Sequence, residues 1–70
     1  MIIECGLNAT MEVRVRVFHA KNWLYLESKQ GNRICINLNT GELVKGQCYK
    51  APGLSKAQIA KIVEDWKAGN

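Results

Sequence analysis

Positions 11–18, MEVRVRVF, alternate between apolar and polar side chains as far as Val17, and this pattern leaves little choice of secondary structure. A period of two that is rich in β-branched valine predicts a strand with one face against a core. The face predicted to point inward carries Met11, Val13, Val15 and Val17. The opposite face carries Glu12, Arg14, Arg16 and Phe18.

The same alternation returns in WLYLES at 23–28 and in RICINL at 33–38. The leucines and isoleucines of these segments share the predicted inner side, and they are Leu24, Leu26, Ile34, Ile36 and Leu38. The outward positions are Trp23, Tyr25, Glu27, Arg33, Cys35 and Asn37. HAKN and SKQGN separate the segments and have turn composition. The three segments therefore predict an antiparallel meander with one shared apolar face.

Further strands are predicted on both sides of this meander. NLNTGELV has the composition of a tight hairpin with Gly41 available for positive φ, and it predicts a fourth strand over 43–48. Pro52 ends strand pairing, because proline has no backbone N–H to donate to a ladder. At the start of the chain, MIIEC predicts an additional strand that turns at Asn8 and Ala9.

The last segment predicts an amphipathic helix. Ser55 and Gln58 have the spacing of a capping box, and Leu54 precedes the cap at the position that packs onto Ile59. Gly69 stands where the helix is expected to stop. The apolar stripe at helical spacing contains Ile59, Ile62, Val63 and Trp66. We expect Trp66 in the core, with truncation to alanine costing about 3 to 5 kcal/mol.

These elements predict an α+β fold: an antiparallel β-meander of three to five strands with one C-terminal α-helix packed on one face. Seventy residues allow a single domain over 1–70, with no room for a deep substrate cavity. The N-terminus lacks the apolar run of a secretion signal, and no stretch is long enough to span a membrane. We therefore expect no membrane association. Three cysteines at irregular spacing fit no disulfide framework, which predicts a reducing, cytoplasmic setting.

The outward residues of the predicted meander form the candidate binding surface. It combines three arginines with three aromatic side chains: Arg14, Arg16, Phe18, Trp23, Tyr25 and Arg33. Tryptophan, tyrosine and arginine are enriched at the centres of protein interfaces, so a protein partner or a homo-oligomer is the leading prediction. The net charge of +4 also suits single-stranded RNA, whose bases stack on rings while arginines bind phosphates. Nucleic acid is therefore the alternative partner.

No pattern in the chain predicts an enzyme. The single histidine, His19, falls at a predicted turn, and a Cys–His pair with Cys35 or Cys48 would require a proximity that spacing does not establish. Glu64 and Asp65 are adjacent on a helix and point in different directions. Glycine-rich phosphate loops and metal-ligand spacings are missing from the sequence. We therefore expect no catalytic residue, metal, cofactor or small-molecule substrate.

Three segments carry a resemblance to a known family. They are FHA at 18–20, INLNTGELVKG at 36–46 and LSKAQIAKIVEDW at 54–66. Together they resemble a family of small uncharacterised bacterial proteins that have an F-H-A segment, a T-G-E hairpin followed by glycine, and a C-terminal helix containing tryptophan. The resemblance implies a compact sheet-plus-helix domain. It also implies a frequent setting beside a second small protein, as in toxin–antitoxin pairs.

The chain departs from that family pattern directly before the FHA segment. Family members usually carry proline and histidine there and so form a small histidine cluster, whereas this chain has Arg16 and Val17. The resemblance therefore does not extend a metal or acid–base role to His19. It implies interaction with a partner rather than catalysis.

Overall fold

The computed structural model describes residues 1–69 and confirms the α+β class. Its strands are β1 (Ile2–Cys5), β2 (Ala9–Glu12), β3 (Arg14–Phe18), β4 (Trp23–Glu27), β5 (Arg33–Asn37) and β6 (Glu42–Leu43). They form a two-stranded sheet, β1-β2, and a four-stranded meander, β3-β4-β5-β6, with antiparallel pairing throughout. A short 3-10 helix (Lys45–Gln47) and the C-terminal helix α1 (Lys56–Ala68) complete the chain order.

The core lies on the predicted inner side of the meander. Leu24, Leu26, Ile34 and Ile36 have no exposed surface, and α1 adds Ile59 and Ile62 to the same cluster. Because strand side chains alternate between faces, this burial fixes the register of β3, β4 and β5. The predicted inward and outward sets of β4 and β5 are confirmed, apart from Cys35, which is described below.

The strand expected over 11–18 is divided at Val13. Residues before this point belong to β2 and pair with β1, while residues after it belong to β3 and pair with β4. Val13 itself is buried, and its backbone exchanges hydrogen bonds with Met1 at 2.8 and 3.1 Å. The alternation of the sequence is preserved through the bend, so it could not show that the strand changes partners there. The extra N-terminal strand is confirmed as β1.

The N-terminal hairpin turns through residues 6–8. Gly6 and Asn8 have φ angles of 58° and 57°, a region open to glycine and tolerated by asparagine. The turn is fixed to the start of the helix, because the Gly6 N–H donates to the Gly53 carbonyl at 2.8 Å and the Gln58 amide donates to the Gly6 carbonyl at 2.9 Å. The hairpin therefore packs beside α1, and Lys61 reaches Glu4 at 3.6 Å.

The fourth strand of the meander is shorter than the sequence predicted. Gly41 has a φ of 76°, as the hairpin prediction required, but β6 contains only Glu42–Leu43. The chain then winds into the 3-10 helix, and it rejoins the sheet where Tyr49 and Arg33 exchange backbone hydrogen bonds of 3.0 and 2.7 Å. The strand predicted to run to Cys48 is therefore interrupted.

Helix α1 begins with the predicted capping box. The Gln58 N–H donates to Ser55 Oγ at 3.1 Å, and the Ser55 N–H donates to Gln58 Oε1 at 2.9 Å. Gly69 is the C-cap, in a right-handed conformation rather than the left-handed one common at helix ends. Trp66 packs against the core from its margin and is only partly buried. Within residues 1–69, no helix is both long and apolar enough to cross a membrane.

Candidate interaction face

The outward side chains of β3, β4 and β5, here called the outer face, include a row of three aromatic rings. Phe18 and Trp23 are directly opposite in the β3–β4 register, and their ring centroids are 6.0 Å apart with planes at 73°. Trp23 and Tyr25 follow along β4 at 6.5 Å and 72°. Both contacts are edge-to-face, which suits the quadrupole of aromatic rings. Phe18, at the end of the row, is 43% exposed.

Cationic side chains cover the faces of two of these rings. The guanidinium carbons of Arg16 and Arg33 lie 5.6 and 5.7 Å from the centroid of Tyr25. Arg16 comes from β3 and Arg33 from β5, so the ring on β4 lies between them. Lys21, in the turn before β4, places its ammonium 5.7 Å from the Trp23 centroid. These are cation–π distances.

Glu27 joins the two arginines at the end of this arrangement. Its carboxylate accepts hydrogen bonds from Nε of Arg16 at 3.0 Å and from Nε of Arg33 at 3.3 Å. Desolvation alone would raise the pKa of this carboxyl, but the hydrogen bonds and charges of the two arginines outweigh it and lower the pKa. Arg14 is exposed and forms no ion pair within residues 1–69. The predicted binding residues thus lie together, with Arg14 at the margin.

Cys35 was expected to be exposed on this face, and that expectation is wrong. The side chain points to the outer side of β5, yet its exposed fraction is 0% because neighbouring residues cover it. The Tyr25 hydroxyl donates to Gln47 Oε1 at 3.1 Å, which joins β4 to the 3-10 helix beside Cys35. Cys48 lies next to it, with Sγ 4.0 Å from the Cys35 carbonyl oxygen. Burial, followed by the neighbouring Cys48 thiol, raises the pKa of Cys35.

Tyr49 is a member of the outer face that the sequence did not reveal. It lies opposite Arg33 across an isolated bridge and is 58% exposed, with the Lys50 ammonium 5.5 Å from its ring centroid. A shallow groove of about 480 Å³ separates this end of the face from the loop after β4, and Glu27, Asn32 and Gln47 contribute to its lining. The 3-10 helix broke the alternation that would have assigned Tyr49 to this side.

Within the described part of the chain, the candidate catalytic side chains do not lie together. His19 lies exposed in the turn between β3 and β4, whereas Cys35 and Cys5 are buried. Among residues 1–69, no three side chains of the histidine, cysteine or carboxylate type cluster in a way that could hold a metal ion.

No family model, curated protein or solved structure matches this chain. The resemblance to a toxin–antitoxin-associated family therefore stays a prediction.

Proposed function

We propose that this chain is a small, non-enzymatic interaction module that binds another protein, or a second copy of itself, through the outer face. The observation that carries the proposal is the ordered row of Phe18, Trp23 and Tyr25. Helix α1 packs on the other side of the meander, so the three rings point away from the core, with Phe18 exposed and Trp23 and Tyr25 half-buried. Tryptophan, tyrosine and arginine are the residue types enriched at the energetic centres of protein interfaces.

The fixed arginines add to the case for a protein partner. Arg16 and Arg33 are each held by Glu27 and by the ring of Tyr25, so their side chains are ordered before binding. Ordering long side chains in advance lowers the entropy cost of association. The three free thiols fit a reducing, cytoplasmic setting. The resemblance in sequence supports a bacterial or phage-borne protein that pairs with a neighbouring small protein.

The test replaces the row of rings by small polar side chains. Trp23→Ser and Tyr25→Ser variants are compared with Leu7→Ser, which changes an exposed apolar residue at the tip of the N-terminal hairpin. Sedimentation equilibrium measures self-association, and co-purification with the product of the adjacent gene measures partner binding. We expect both ring variants to lose association and Leu7→Ser to retain it. Association that survives both ring substitutions would exclude the outer face.

A loss of folding would imitate a loss of binding, so a milder variant is included. Phe18→Ser alters the most exposed ring of the row. It should leave thermal unfolding almost unchanged while weakening association. Circular dichroism of every variant shows whether the sheet and helix persist.

The second candidate function is binding of single-stranded RNA by the same face. The observation in its favour is the basic character of the surface, since Glu27 is the only acidic side chain among the outward positions of β3, β4 and β5. Against it, base stacking needs free ring faces, and cations of the chain already cover Trp23 and Tyr25. The edge-to-face rings also offer no common stacking plane.

Salt dependence separates the two functions. A labelled mixed-sequence RNA is titrated by fluorescence anisotropy at low and at physiological salt, because phosphate contacts release counterions and weaken steeply as salt rises. The combined Arg14→Ala and Arg16→Ala variant should weaken RNA binding, while Lys56→Ala with Lys67→Ala, on α1, provides a control of equal charge. Absence of binding at low salt would remove the RNA function.

A further inference from the structure

The hydrogen-bond pattern of the meander leaves one edge of β3 without a partner. The Leu38 N–H donates to the Asn22 carbonyl at 2.9 Å, so Asn22 directs its backbone groups toward β5. Leu24 and Leu26, at the next even-numbered positions along β4, have the same orientation. In an antiparallel ladder the alternate residues point the other way. Trp23, Tyr25 and Glu27 therefore bond to β3, through its even-numbered residues. The backbone groups of Val15 and Val17 point away from β4.

The N-terminal hairpin confirms this assignment independently. Val13 is two residues before Val15, and its N–H and carbonyl bond to Met1 rather than to β4. The N-terminal hairpin therefore occupies this edge as far as Val13, and the edge is open from Val15 to Val17. Within residues 1–69, neither valine has a backbone or side-chain hydrogen-bond partner on that edge. Two N–H donors and two carbonyl acceptors thus face outward in line with β1.

We infer that this edge of β3 accepts an extended segment of another protein as an added antiparallel strand, with carboxylate side chains opposite Arg14 and Arg16 and β-branched side chains opposite Val15 and Val17. Strand addition to an open edge is a recurring mode of peptide recognition. The half-buried valines would gain cover on the core side of the sheet. Arg14 has no ion pair in the described chain and would gain a carboxylate on the outer side.

Charge complementarity favours an acidic segment over a second copy of this chain. A two-fold pairing that used all four open groups of each copy would set Arg16 directly against Arg16 of the second copy. Like charges directly opposite each other destabilise a strand pair. The net charge of +4 adds repulsion between two whole copies. The inference rests on the backbone edge of β3 and shares only Arg14 and Arg16 with the outer face, so it does not depend on the row of rings, and either proposal can fail without the other.

The probe is a fluorescein-labelled, amidated peptide, Ser-Tyr-Val-Glu-Val-Glu, titrated with the intact protein by fluorescence anisotropy; it ends opposite Arg14 because Met1 already pairs with Val13. Its valines are meant to meet Val15 and Val17, and its glutamates Arg14 and Arg16. One control peptide carries N-methyl groups on both valine amides, which removes the donors of the ladder and keeps the side chains. A second control replaces both glutamates by lysine. We expect each control to bind at least about tenfold more weakly, since two hydrogen bonds or two ion pairs are lost.

Protein variants complete the test. Val15→Pro removes a donor at the open edge and should abolish binding of the peptide, whereas Trp23→Ser, which alters the outer face, should leave it unchanged. Equal binding of the N-methylated and parent peptides would overturn strand addition, and so would the absence of saturable binding at low salt. A dimer in sedimentation experiments that Val15→Pro dissolves would overturn the acidic segment as occupant and assign the edge to a second copy.

Discussion

Glu27 and Arg14 face each other directly in the β3–β4 register, yet the carboxylate of Glu27 accepts its hydrogen bond from Arg16, two positions further along β3. The diagonal contact is favoured because the guanidinium of Arg16 also lies over the ring of Tyr25. Arg33 approaches the other carboxylate oxygen from β5. One carboxylate therefore orders two arginines, and Arg14 keeps its charge free at the margin of the face.

Replacing Glu27 by glutamine should lower the free energy of unfolding by about 1 kcal/mol at neutral pH, because exposed ion pairs contribute little even in a small network. The folded-state pKa of Glu27 is lowered, so its contribution is complete above about pH 5. It is lost as the pH falls through the folded pKa. Urea unfolding of the wild type and Glu27→Gln at several pH values should show the difference disappearing in acid.

Glu42→Gln is the matched control for this measurement, since Glu42 is exposed at the hairpin turn. It should leave the free energy of unfolding at neutral pH almost unchanged, because Glu42 forms no ion pair within residues 1–69. A wild-type advantage that stayed constant down to strongly acidic pH would mean that the ion pairs of Glu27 do not contribute to stability.

The thiols should differ sharply in reactivity. Cys48 is half-buried, whereas Cys5 and Cys35 are buried and Cys35 has a raised pKa. Because the thiolate is the reactive form, a disulfide reagent should modify Cys48 first, and the other two only as the protein unfolds. Labelling that is quenched at successive times, followed by peptide mass spectrometry, gives the rate of modification at each of the three cysteines.

Tyr25 is expected to act as part of the cover over Cys35. In a background of Cys5→Ala and Cys48→Ala, the variant Tyr25→Ala should increase the labelling rate of Cys35 by about tenfold or more, as local opening becomes easier. Phe18→Ala, at the far end of the ring row, is the control and should leave the rate unchanged. Equal rates in the two variants would show that the 3-10 helix alone protects the thiol.

The inner and outer sides of the meander could be predicted because alternation is a local property. The two strands and the turn between them were predicted at 11–18 and 23–28, and the observed pairs Phe18–Trp23 and Arg16–Tyr25 follow from the geometry of that hairpin. The capping box of Ser55 and Gln58 was equally local. Each of these features depends on neighbours in sequence or on one short turn.

The features that the sequence could not predict depend on contacts across the fold. The bend at Val13 preserves alternation while the strand changes partners, so no local signal marks it. The burial of Cys35 results from the 3-10 helix and Tyr25, which come from other parts of the chain. Tyr49 returns to the sheet only after that helix has interrupted the period of two. Trp66 fits the helical stripe, but it lies at the margin because the strongest burial on α1 falls at Ile59 and Ile62.

Removing the helix cap should cost about 1 kcal/mol, as measured by thermal or urea unfolding of Ser55→Ala. The lost interaction is the acceptor for the Gln58 N–H. Ser55→Asp is the matched control and should keep most of the stability, because aspartate is also a good N-cap. If alanine and aspartate destabilise equally, the capping box does not contribute as its geometry indicates.

Proline should destabilise the protein much less at the open-edge positions of β3 than at the positions that bond to β4. At Val15 the backbone N–H points to the open edge, so Val15→Pro removes no ladder hydrogen bond and should cost on the order of 1 kcal/mol. At Arg16 the N–H points toward Tyr25 on β4, and Arg16→Pro should cost about 3 kcal/mol or more, a large part of the stability of a chain this small. Amide hydrogen exchange of the unaltered protein gives the same information without substitution, with fast exchange at Val15 and Val17 and slow exchange at Arg16. Equal destabilisation by the two prolines, together with slow exchange at Val15, would mean that another part of the protein covers this edge.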